Sequence, residues 1–302
     1  AIPFLRVTAA ASVIYIALHL AIAAPDMKTG LREPVFGHIR YLSMAVGALV
    51  IWLYDDAPLG KWARLIVLAG RFTGLVILFW AGGRGALLAL AVALLAHAFL
   101  LAPGRKRTVF YTLEILLAAL ASELASAGNS SMGLANILSR SVSADTADGL
   151  SSGRFVLWSN TWQRLTDGVA LWFGWGGNGF IRMGLARGFI FHPHNVVLQI
   201  LTDWGIIGFF LFVNFLVAAM RSLMGANIRT PDGALAIAIL SFLLVTGMLD
   251  GGLYHPQFLL CAGLAFGILH ARTGEENAGR VRLHLSPVLL VLVMIVTHVI
   301  ML

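Results

Sequence analysis

Charged residues are scarce in this sequence: they make up 12% of its 302 residues, whereas 59% of the residues are hydrophobic. Soluble domains carry about 25% charged and 45–50% apolar residues, so the composition excludes most soluble folds and indicates an integral membrane protein. It also excludes disorder, which requires a low apolar content. The apolar segments run without the alternation of polar residues that the strands of an outer-membrane barrel need, which excludes that fold as well.

Cysteine is almost absent too, since Cys261 is the only one. A single cysteine forms no disulfide within the chain and no cysteine-based metal site. The sequence begins with Ala1 and not with methionine, so we expect either processing or a missing N-terminal piece. Residues 7–24 are more typical of a membrane span than of a cleavable signal peptide.

Basic residues exceed acidic ones, 21 against 14, and the formal net charge is +7. In a soluble protein such a surplus would suggest a nucleic-acid partner. In a membrane protein, Lys and Arg accumulate in the loops that stay in the cytoplasm. We therefore predict membrane lipids as partners and no nucleic acid.

Long apolar segments predict an all-α, polytopic membrane protein with about nine transmembrane helices, since a span needs about 20 mostly apolar residues. The predicted spans are 7–24, 38–54, 62–80, 85–101, 109–126, 196–219, 233–250, 253–270 and 286–302. We interpret residues 1–302 as a single membrane domain. A large loop, 127–192, with short amphipathic helices is inserted between the fifth and sixth spans.

The distribution of Lys and Arg predicts that this long loop lies outside the cytoplasm. With that orientation most basic residues of the short loops lie inside, and the cluster Arg105, Lys106 and Arg107 is the firmest anchor. The protein is thus expected to be a multi-pass membrane protein whose long loop lies on the outer side of the membrane.

The long loop is rich in arginine and tryptophan, and loops of this length are usually functional or disordered. Its arginines are Arg140, Arg154, Arg164, Arg182 and Arg187. Because the planar guanidinium suits phosphate, the loop predicts a site for an anionic lipid headgroup or a phosphate-linked substrate. The alternative is ordinary pairing with the acidic residues of the loop or with lipid phosphates.

Residues 153–166 are predicted to form an amphipathic helix along the membrane surface, with Ser151 or Ser152 as its cap. The apolar face of this helix consists of Phe155, Trp158, Trp162 and Leu165. The Gly-rich stretch 172–180 follows, and its glycines permit a phosphate-binding loop. Without a preceding strand it is not a dinucleotide-binding fingerprint.

His192, His194 and Asn195 lie where the long loop enters the sixth span. Zinc is one interpretation, but it normally takes three or four protein ligands, and only His255 is otherwise placed on the same side. His194 as a general base is another interpretation, because histidine titrates near neutral pH, and a structural histidine that caps the span is a third. A polar stripe that we expect to face protein or water consists of Asn195, Gln199, Thr202 and Asp203.

Two further arginines need an explanation. Arg84 lies in the tight Gly-rich reversal between the third and fourth spans, where a ligand can approach closely, or else it extends to lipid headgroups. Arg71 lies in the middle of a span, where a charge is costly. We predict that it forms a structural ion pair with Glu114 or Glu123 of the fifth span.

These features occur in a characteristic order. They are Gly83-Arg84-Gly85 opening a span, Ser152-Gly153-Arg154 with Trp158 four residues on, the aromatic and Gly-rich stretch 173–180, His194-Asn195 with Leu198 and Gln199, and Trp204-Gly205-Ile206-Ile207-Gly208. In this order, over residues from about 65 to 270, the sequence resembles the O-antigen ligase and O-antigen polymerase superfamily of bacterial inner-membrane glycosyltransferases.

The resemblance implies a membrane glycosyltransferase that needs no metal and no cofactor. It would move a glycan from undecaprenyl-pyrophosphate to an acceptor hydroxyl, on lipid A-core or a similar molecule, at the periplasmic face. It implies that Arg84 and Arg154 hold the pyrophosphate and that His194 is the essential histidine. The expected substrate-binding residues, some of which match the family less firmly, are Arg164, His192, Asn195, Trp158 and Gln199.

Several alternatives stay open at this point. A polysaccharide polymerase or a protein O-oligosaccharide ligase of the same superfamily would use the same donor. A transporter of lipid-linked glycan would distribute charges along a path through the membrane, and an export scaffold would tolerate replacement of His194 and Arg84. Members of the superfamily usually have more spans and more residues, which raises the expectation that N-terminal spans are missing here.

Overall fold

The computed structural model describes residues 2–23, 38–54, 58–102, 104–126, 132–186, 190–222, 228–251 and 256–276. Within these ranges the protein is built of helices and contains no β-strand. The helices are α1 (Ile2–Ala23), α2 (Ile39–Trp52), α3 (Lys61–Ala81), α4 (Arg84–Leu101), α5 (Arg105–Ala125), α6 (Gly133–Val142), α7 (Ala147–Ser151), α8 (Arg154–Leu165), α9 (Ala170–Phe173), α10 (Gly179–Arg182), α11 (Val196–Ser222), α12 (Pro231–Asp250) and α13 (Pro256–Glu276).

Six of the described helices are long and apolar enough to cross a membrane: α1, α3, α4, α5, α11 and α12. They coincide with six predicted spans and confirm the all-α, polytopic fold class. At the predicted spans 38–54 and 253–270 the structure has shorter apolar helices, Ile39–Trp52 and Phe258–Ala271. The last predicted span, 286–302, lies outside the described residues, so the count of nine stays a prediction.

The chain divides into two compact units. Unit 1 contains α1 to α6 and the first part of α12, whereas unit 2 contains α7 to α11, the last part of α12, and α13. The interpretation of the chain as one membrane domain stays a prediction. The two units are described separately below.

Small residues allow the helices of unit 1 to pack closely. A Cβ atom on Gly70 of α3 would lie 2.6 Å from Cβ of Ala10 in α1. A Cβ atom on Gly74 would lie 2.4 Å from a methyl group of Val50 in α2. Helices in membranes gain stability from such close van der Waals contact, so α3 is the central helix of this packing.

The predicted ion pair of Arg71 is confirmed, with Glu114 of α5 as its partner. Nε and Nη2 of Arg71 lie 2.9 Å and 2.8 Å from the two carboxylate oxygens, and both side chains are buried. Nη1 also donates to the carbonyl oxygen of Leu53 at 3.3 Å. The rings of Tyr54 and Tyr111 lie 4.7 Å and 5.0 Å from the guanidinium carbon, which adds cation–π attraction.

The predicted Gly-rich reversal between the third and fourth spans is present. Gly82 ends α3 in the left-handed conformation, with a φ of 66°. A Cβ atom on Gly83 would lie 2.7 Å from the hydroxyl oxygen of Ser43 in α2, so no larger residue fits there without displacement. Arg84 is consequently the first residue of α4.

The long loop contains five short helices, α6 to α10, among its described residues. The predicted helix 153–166 is confirmed as α8, but its expected apolar face is divided. Leu165 is fully buried, whereas Phe155 and Trp162 are 50% and 49% exposed. The apolar core around Leu165 includes Met183 and Leu201, which ties α8 to the rest of unit 2.

Candidate functional site

Residues that precede α8 cap its first turn. The Ser151 hydroxyl accepts hydrogen bonds from the backbone N–H groups of Arg154 at 3.1 Å and Phe155 at 3.3 Å. The Asp148 carboxylate accepts one from the N–H of Val156 at 3.0 Å. The first N–H groups of a helix have no partner within the helix, so these side chains fix the start of α8. Of the two predicted caps, Ser151 makes these bonds.

Arg154 is paired with a carboxylate at the end of α12. Its Nη2 lies 2.6 Å from Oδ1 of Asp250, and the two side chains are 13% and 6% exposed. Nε of Arg154 is buried and has no hydrogen-bond partner within the described ranges. Because a guanidinium carries five N–H donors, Arg154 keeps at least one donor for an oxygen atom of a ligand.

The segment that leads into α11 brings two imidazoles together. The backbone N–H of His194 donates to Nδ1 of His192 at 3.3 Å. The two ring centroids are 4.2 Å apart in an edge-to-face arrangement. His194 has a φ of 53°, a conformation in which Asn, Asp and His are enriched among non-glycine residues. His192 is buried and His194 is half-buried.

Hydrogen bonds connect this segment to α8 and to the end of α12. Nε1 of Trp158 donates to the carbonyl oxygen of Pro193 at 2.8 Å. Nδ2 of Asn195 donates to the carbonyl oxygen of Met248 at 3.1 Å. Together with the Arg154–Asp250 pair they join three segments of unit 2. We call residues 154–158, 192–195 and 248–251 the three-segment cluster.

Gly251 lets the end of α12 lie directly against His192. A Cβ atom on Gly251 would be 2.6 Å from Nδ1 of His192, and the residue has a φ of 65°. A side chain is disfavoured there by both the contact and the backbone conformation. Asp250 and His192 are thereby held in neighbouring positions of the cluster.

Asn195 also begins α11. Its Oδ1 accepts a hydrogen bond from the backbone N–H of Leu198 at 3.0 Å, which is the usual contact of an N-cap residue. The same side chain therefore uses its oxygen for the helix start and its nitrogen for α12. Neither atom of the amide group needs a substrate to be satisfied.

The polar stripe on α11 faces the protein interior, as expected. Gln199, Thr202 and Asp203 are 4%, 0% and 3% exposed. Nε2 of Gln199 donates to Asp203 at 2.8 Å, and the other Asp203 oxygen accepts from the N–H of Gly179 at 2.7 Å. Oε1 of Gln199 is buried without a hydrogen-bond partner in the described part of the chain.

Helix α11 is interrupted one turn further on. Gly205 has a φ of 66° and a ψ of −169°, which are not helical values. The carbonyl oxygens of Thr202 and Asp203 accept hydrogen bonds from the N–H groups of Trp175 at 2.8 Å and Gly176 at 2.9 Å. The Gly-rich stretch thus supplies backbone partners at the kink.

The glycines of this stretch serve close packing against α11. A Cβ atom on Gly174 would lie 2.5 Å from the backbone of Asp203, and one on Gly179 would lie 2.2 Å from the carbonyl oxygen of Thr202. The sequence permitted a phosphate-binding loop at 172–180. The structure differs, because the N–H groups that a phosphate would need at positions 175 and 176 are bonded to the backbone of α11.

Arg84 belongs to unit 1, whereas the three-segment cluster belongs to unit 2. Nη1 of Arg84 lies 3.5 Å from the carbonyl oxygen of Arg140, at the end of α6. This long contact orients the side chain only weakly. The Gly82-Gly83 turn fixes the backbone from which Arg84 projects.

Arg164 differs from Arg154 in its surroundings, although both are on α8. Its side chain is 53% exposed, and the nearest carboxylate oxygen, of Asp167, is 3.9 Å away. An exposed pair at this distance contributes little to stability. Arg164 is outside the three-segment cluster.

Zinc ligation by His192 and His194 would require at least one further protein ligand. Within the described residues, no group of three or more His, Cys, Asp or Glu side chains is arranged to hold a metal ion. His255, the third histidine of that hypothesis, lies outside the described residues, as does Arg187.

Asp250 is the residue of this cluster that sequence reasoning missed. It is the last residue of α12, where an acidic residue at a helix C-terminus is electrostatically unfavourable. That position, directly before two glycines at the end of an apolar span, was the available signal. It indicates a carboxylate kept for a specific partner.

A comparison with models of known protein families gives a match over a range that includes the predicted site residues. Residues 69–213 match a family model described as O-antigen ligase, a range that covers slightly under half of the chain. Arg84, Arg154, His194 and the five expected substrate-binding residues all lie within it. The match supports the predicted superfamily. No match is found among the curated proteins.

Members of this family are membrane glycosyltransferase-like ligases and polymerases. Family and membrane-spanning helices together indicate a multi-pass protein of the bacterial inner membrane. Lipid-linked glycans and membrane lipids are the partners that the family implies.

Proposed function

We propose that this protein, whose residues 69–213 match a family model described as O-antigen ligase, transfers a glycan from undecaprenyl-pyrophosphate to an acceptor hydroxyl. The acceptor is lipid A-core or a similar molecule, and the reaction takes place at the periplasmic face. In the reaction the bond between the sugar carbon and the phosphate oxygen breaks, and a bond to the acceptor oxygen forms. The hydroxyl proton passes to a base, and the electron pair leaves with the pyrophosphate.

One observation carries the proposal: the three-segment cluster combines an imidazole with a half-buried arginine. Hydrogen bonds from Trp158 and Asn195, and the Arg154–Asp250 ion pair, hold its segments together. Fixed groups stabilise a transition state better than mobile ones, because they need no reorganisation during the reaction. This arrangement meets the two needs of the transfer, a base for the acceptor and a cation for the leaving group.

His194 is the proposed general base, and His192 is its positioning residue. Nδ1 of His192 already accepts the backbone N–H of His194, and Gly251 abuts the same ring. His194 is more exposed than His192 and therefore more accessible to an acceptor hydroxyl. A hydroxyl is a poor nucleophile, so removal of its proton during attack assists the transfer.

Arg154 is the proposed partner of the pyrophosphate in unit 2. The Nε donor that has no partner among the described residues suits a phosphate oxygen, and Asp250 fixes the rest of the guanidinium. Arginine stabilises the developing charge on the leaving group without a metal. Arg84 is assigned the same role in unit 1 from the family resemblance.

The other predicted substrate-binding residues divide into two groups. Trp158 and Asn195 have contacts that hold the cluster together, which supports a positioning role. Gln199 keeps a buried carbonyl oxygen, and Arg164 is exposed. Contact of these two side chains with the glycan stays a prediction.

The test is transfer from a synthetic undecaprenyl-pyrophosphate glycan by the purified chain, with EDTA present. We expect acceptor-dependent release of the lipid pyrophosphate by the wild type. His194→Ala and Arg154→Ala should each reduce the rate by about 10²-fold or more, and so should Arg84→Ala. Arg221→Ala, at the exposed end of α11, is the matched control and should retain wild-type activity.

The acceptor panel distinguishes the members of the superfamily. Lipid A-core, a second lipid-linked repeat and an acceptor protein identify a ligase, a polymerase and a protein-glycosylating enzyme, respectively. If no acceptor gives turnover while the glycolipid still binds, the transferase proposal is wrong, and a transporter or an export scaffold replaces it. If EDTA abolishes turnover, only the proposed metal independence is contradicted, and the proposed transfer reaction is not.

A further inference from the structure

Unit 1 contains a pocket of about 460 Å³ among α1, α3 and α5. None of its lining residues is among those assigned to glycan transfer, all but one of which are in unit 2. The cationic residues that line it are Arg6, Arg64, Arg71, Lys106 and Arg107. The remaining lining residues are Pro58, Leu59, Val67, Leu68, Phe110 and Tyr111.

The cations come from the starts of three helices. Arg6 lies in the second turn of α1, Arg64 in the first turn of α3, and Lys106 and Arg107 in the first turn of α5. Because these residues line one pocket, the three helices begin at the same end of the unit. Helix N-termini carry partial positive charge, which adds to the charge of the side chains.

The inner part of the pocket has a different character. Arg71 is already neutralised by Glu114 and enclosed by aromatic rings, so it is not a source of net charge. Val67, Leu68 and Phe110 form apolar walls. A pocket with cations at the helix starts and apolar walls further in matches the two ends of a phospholipid.

The orientation of the helices in the membrane explains why cations are numerous at this end of the helices. It does not explain why several of them line one pocket. The positive-inside effect requires only that Lys and Arg lie in the correct loops. Lys61 and Arg105 are the first residues of α3 and α5 and satisfy it equally well, yet they are not among the residues that line the pocket. The convergence of the other cations is therefore the feature that needs an explanation.

We propose that this pocket binds the phosphate group of an anionic membrane lipid, with an acyl chain against Val67, Leu68 and Phe110. Basic pockets between transmembrane helices recognise such headgroups, and arginine binds phosphate oxygens with paired hydrogen bonds. On the predicted orientation the lipid belongs to the cytoplasmic leaflet. The site does not depend on the proposed glycan transfer and stands or fails separately.

The test measures binding of phosphatidylglycerol to the purified chain in zwitterionic detergent, by the shift of its thermal unfolding midpoint during lipid titration. We expect phosphatidylglycerol to raise the midpoint and phosphatidylcholine not to do so. Arg64→Gln combined with Lys106→Gln should weaken the apparent affinity between ten- and hundredfold, as removal of two cations near a lipid phosphate predicts. Both side chains are exposed, so the double variant should fold.

The matched control is Lys61→Gln combined with Arg105→Gln, which removes the same charge from the same two helix starts. It should keep the wild-type affinity within about twofold, because neither residue lines the pocket. Equal losses in the two double variants would show non-specific surface attraction and overturn the proposal. If the wild type shows no selective shift with phosphatidylglycerol, the proposal is overturned too.

A titration with inorganic phosphate distinguishes the two sources of the anion. If the site is built for a lipid, phosphate alone should leave the midpoint unchanged at the concentrations where phosphatidylglycerol acts. A full shift with inorganic phosphate would overturn the assignment to a lipid. In that case the apolar walls would contribute nothing to recognition.

Discussion

Two arginines, one in each unit, are paired with carboxylates in different ways. Arg71 uses Nε and Nη2 for Glu114 and Nη1 for the carbonyl of Leu53, and aromatic rings lie against its guanidinium. Arg154 has one ion-pair contact, from Nη2 to Asp250, and its Nε has no hydrogen-bond partner within the described ranges. The first guanidinium is fully engaged by the protein, whereas the second is oriented and left with a donor.

The difference separates a structural charge from one suited to a ligand. A buried ion pair is tolerated when further hydrogen bonds support it, and Arg71 donates one such bond to the carbonyl oxygen of Leu53. An unsatisfied donor in a buried position costs free energy, and an oxygen atom of a ligand is one partner that can remove this cost. The charge and the residue type are the same in both cases, so only the surroundings distinguish them.

The largest expected effect concerns stability. Glu114→Gln leaves the buried charge of Arg71 without its counter-ion and should lower the free energy of unfolding by about 3–5 kcal/mol. Asp250→Asn should cost about 1 kcal/mol, because water can reach the partly exposed Arg154. Unfolding of both variants in detergent measures the difference. Arg71→Met combined with Glu114→Leu is the control and should recover most of the loss.

The same unfolding measurement can contradict the distinction between the structural Arg71–Glu114 pair and the functional Arg154–Asp250 pair. Similar destabilisation by Glu114→Gln and Asp250→Asn would mean that both pairs are structural. The contrast would then lose its functional meaning, even if Arg154 proved important for activity.

The next effect concerns activity. Arg154→Lys keeps the positive charge but removes the fork of donors, and the two residues are not equivalent for phosphate. We expect kcat/KM for glycan transfer to fall about 100-fold, which corresponds to about 2.7 kcal/mol, with the unfolding midpoint unchanged. Arg182→Lys, an exposed arginine of the same loop, should change neither quantity. If the Arg154→Lys variant keeps the wild-type kcat/KM, only the positive charge at this position is needed, and the fork of donors is not.

Asp250→Asn should have a smaller effect on activity, of about tenfold in kcat. The carboxylate orients the guanidinium, so its loss slows the reaction. It also repels a bound pyrophosphate, so KM for the donor should stay equal or fall. A parallel rise in KM would instead indicate that Asp250 supports binding of the donor in the ground state. Steady-state kinetics with the synthetic donor separate the two parameters.

Local patterns in the sequence predicted part of the fold and part of the candidate site. The apolar runs predicted nine spans, and six of them coincide with described helices that are long and apolar enough to cross a membrane. The amphipathic spacing predicted α8, and the cost of a charge within a span predicted the pairing of Arg71 with Glu114 or Glu123. The buried polar stripe of α11 followed from the same cost. In each case a residue and its own neighbours in the sequence carry the information.

Contacts between distant segments account for what was missed. Asp250 is 96 residues from Arg154 in the sequence, and no local pattern connects them. The Gly-rich stretch 172–180 looked suited to phosphate because glycine permits close approach, but the partner that approaches is the backbone of α11. A Gly-rich stretch in a sequence predicts that another group packs closely against its backbone. It does not predict which group that is.

The smallest expected effect tests whether the start of α8 positions Arg154. Ser151→Ala removes the hydroxyl that accepts from the N–H groups of Arg154 and Phe155 and should cost about 1 kcal/mol. Because Asp148 and the Asp250 ion pair still hold the helix start, we expect kcat for glycan transfer to fall only a few-fold. Ser159→Ala, at an exposed position of the same helix, should leave both stability and kcat unchanged. If Ser151→Ala reduced kcat as strongly as Asp250→Asn does, the cap and not the ion pair would determine the orientation of Arg154, and the contrast with Arg71 would rest on the backbone of α8.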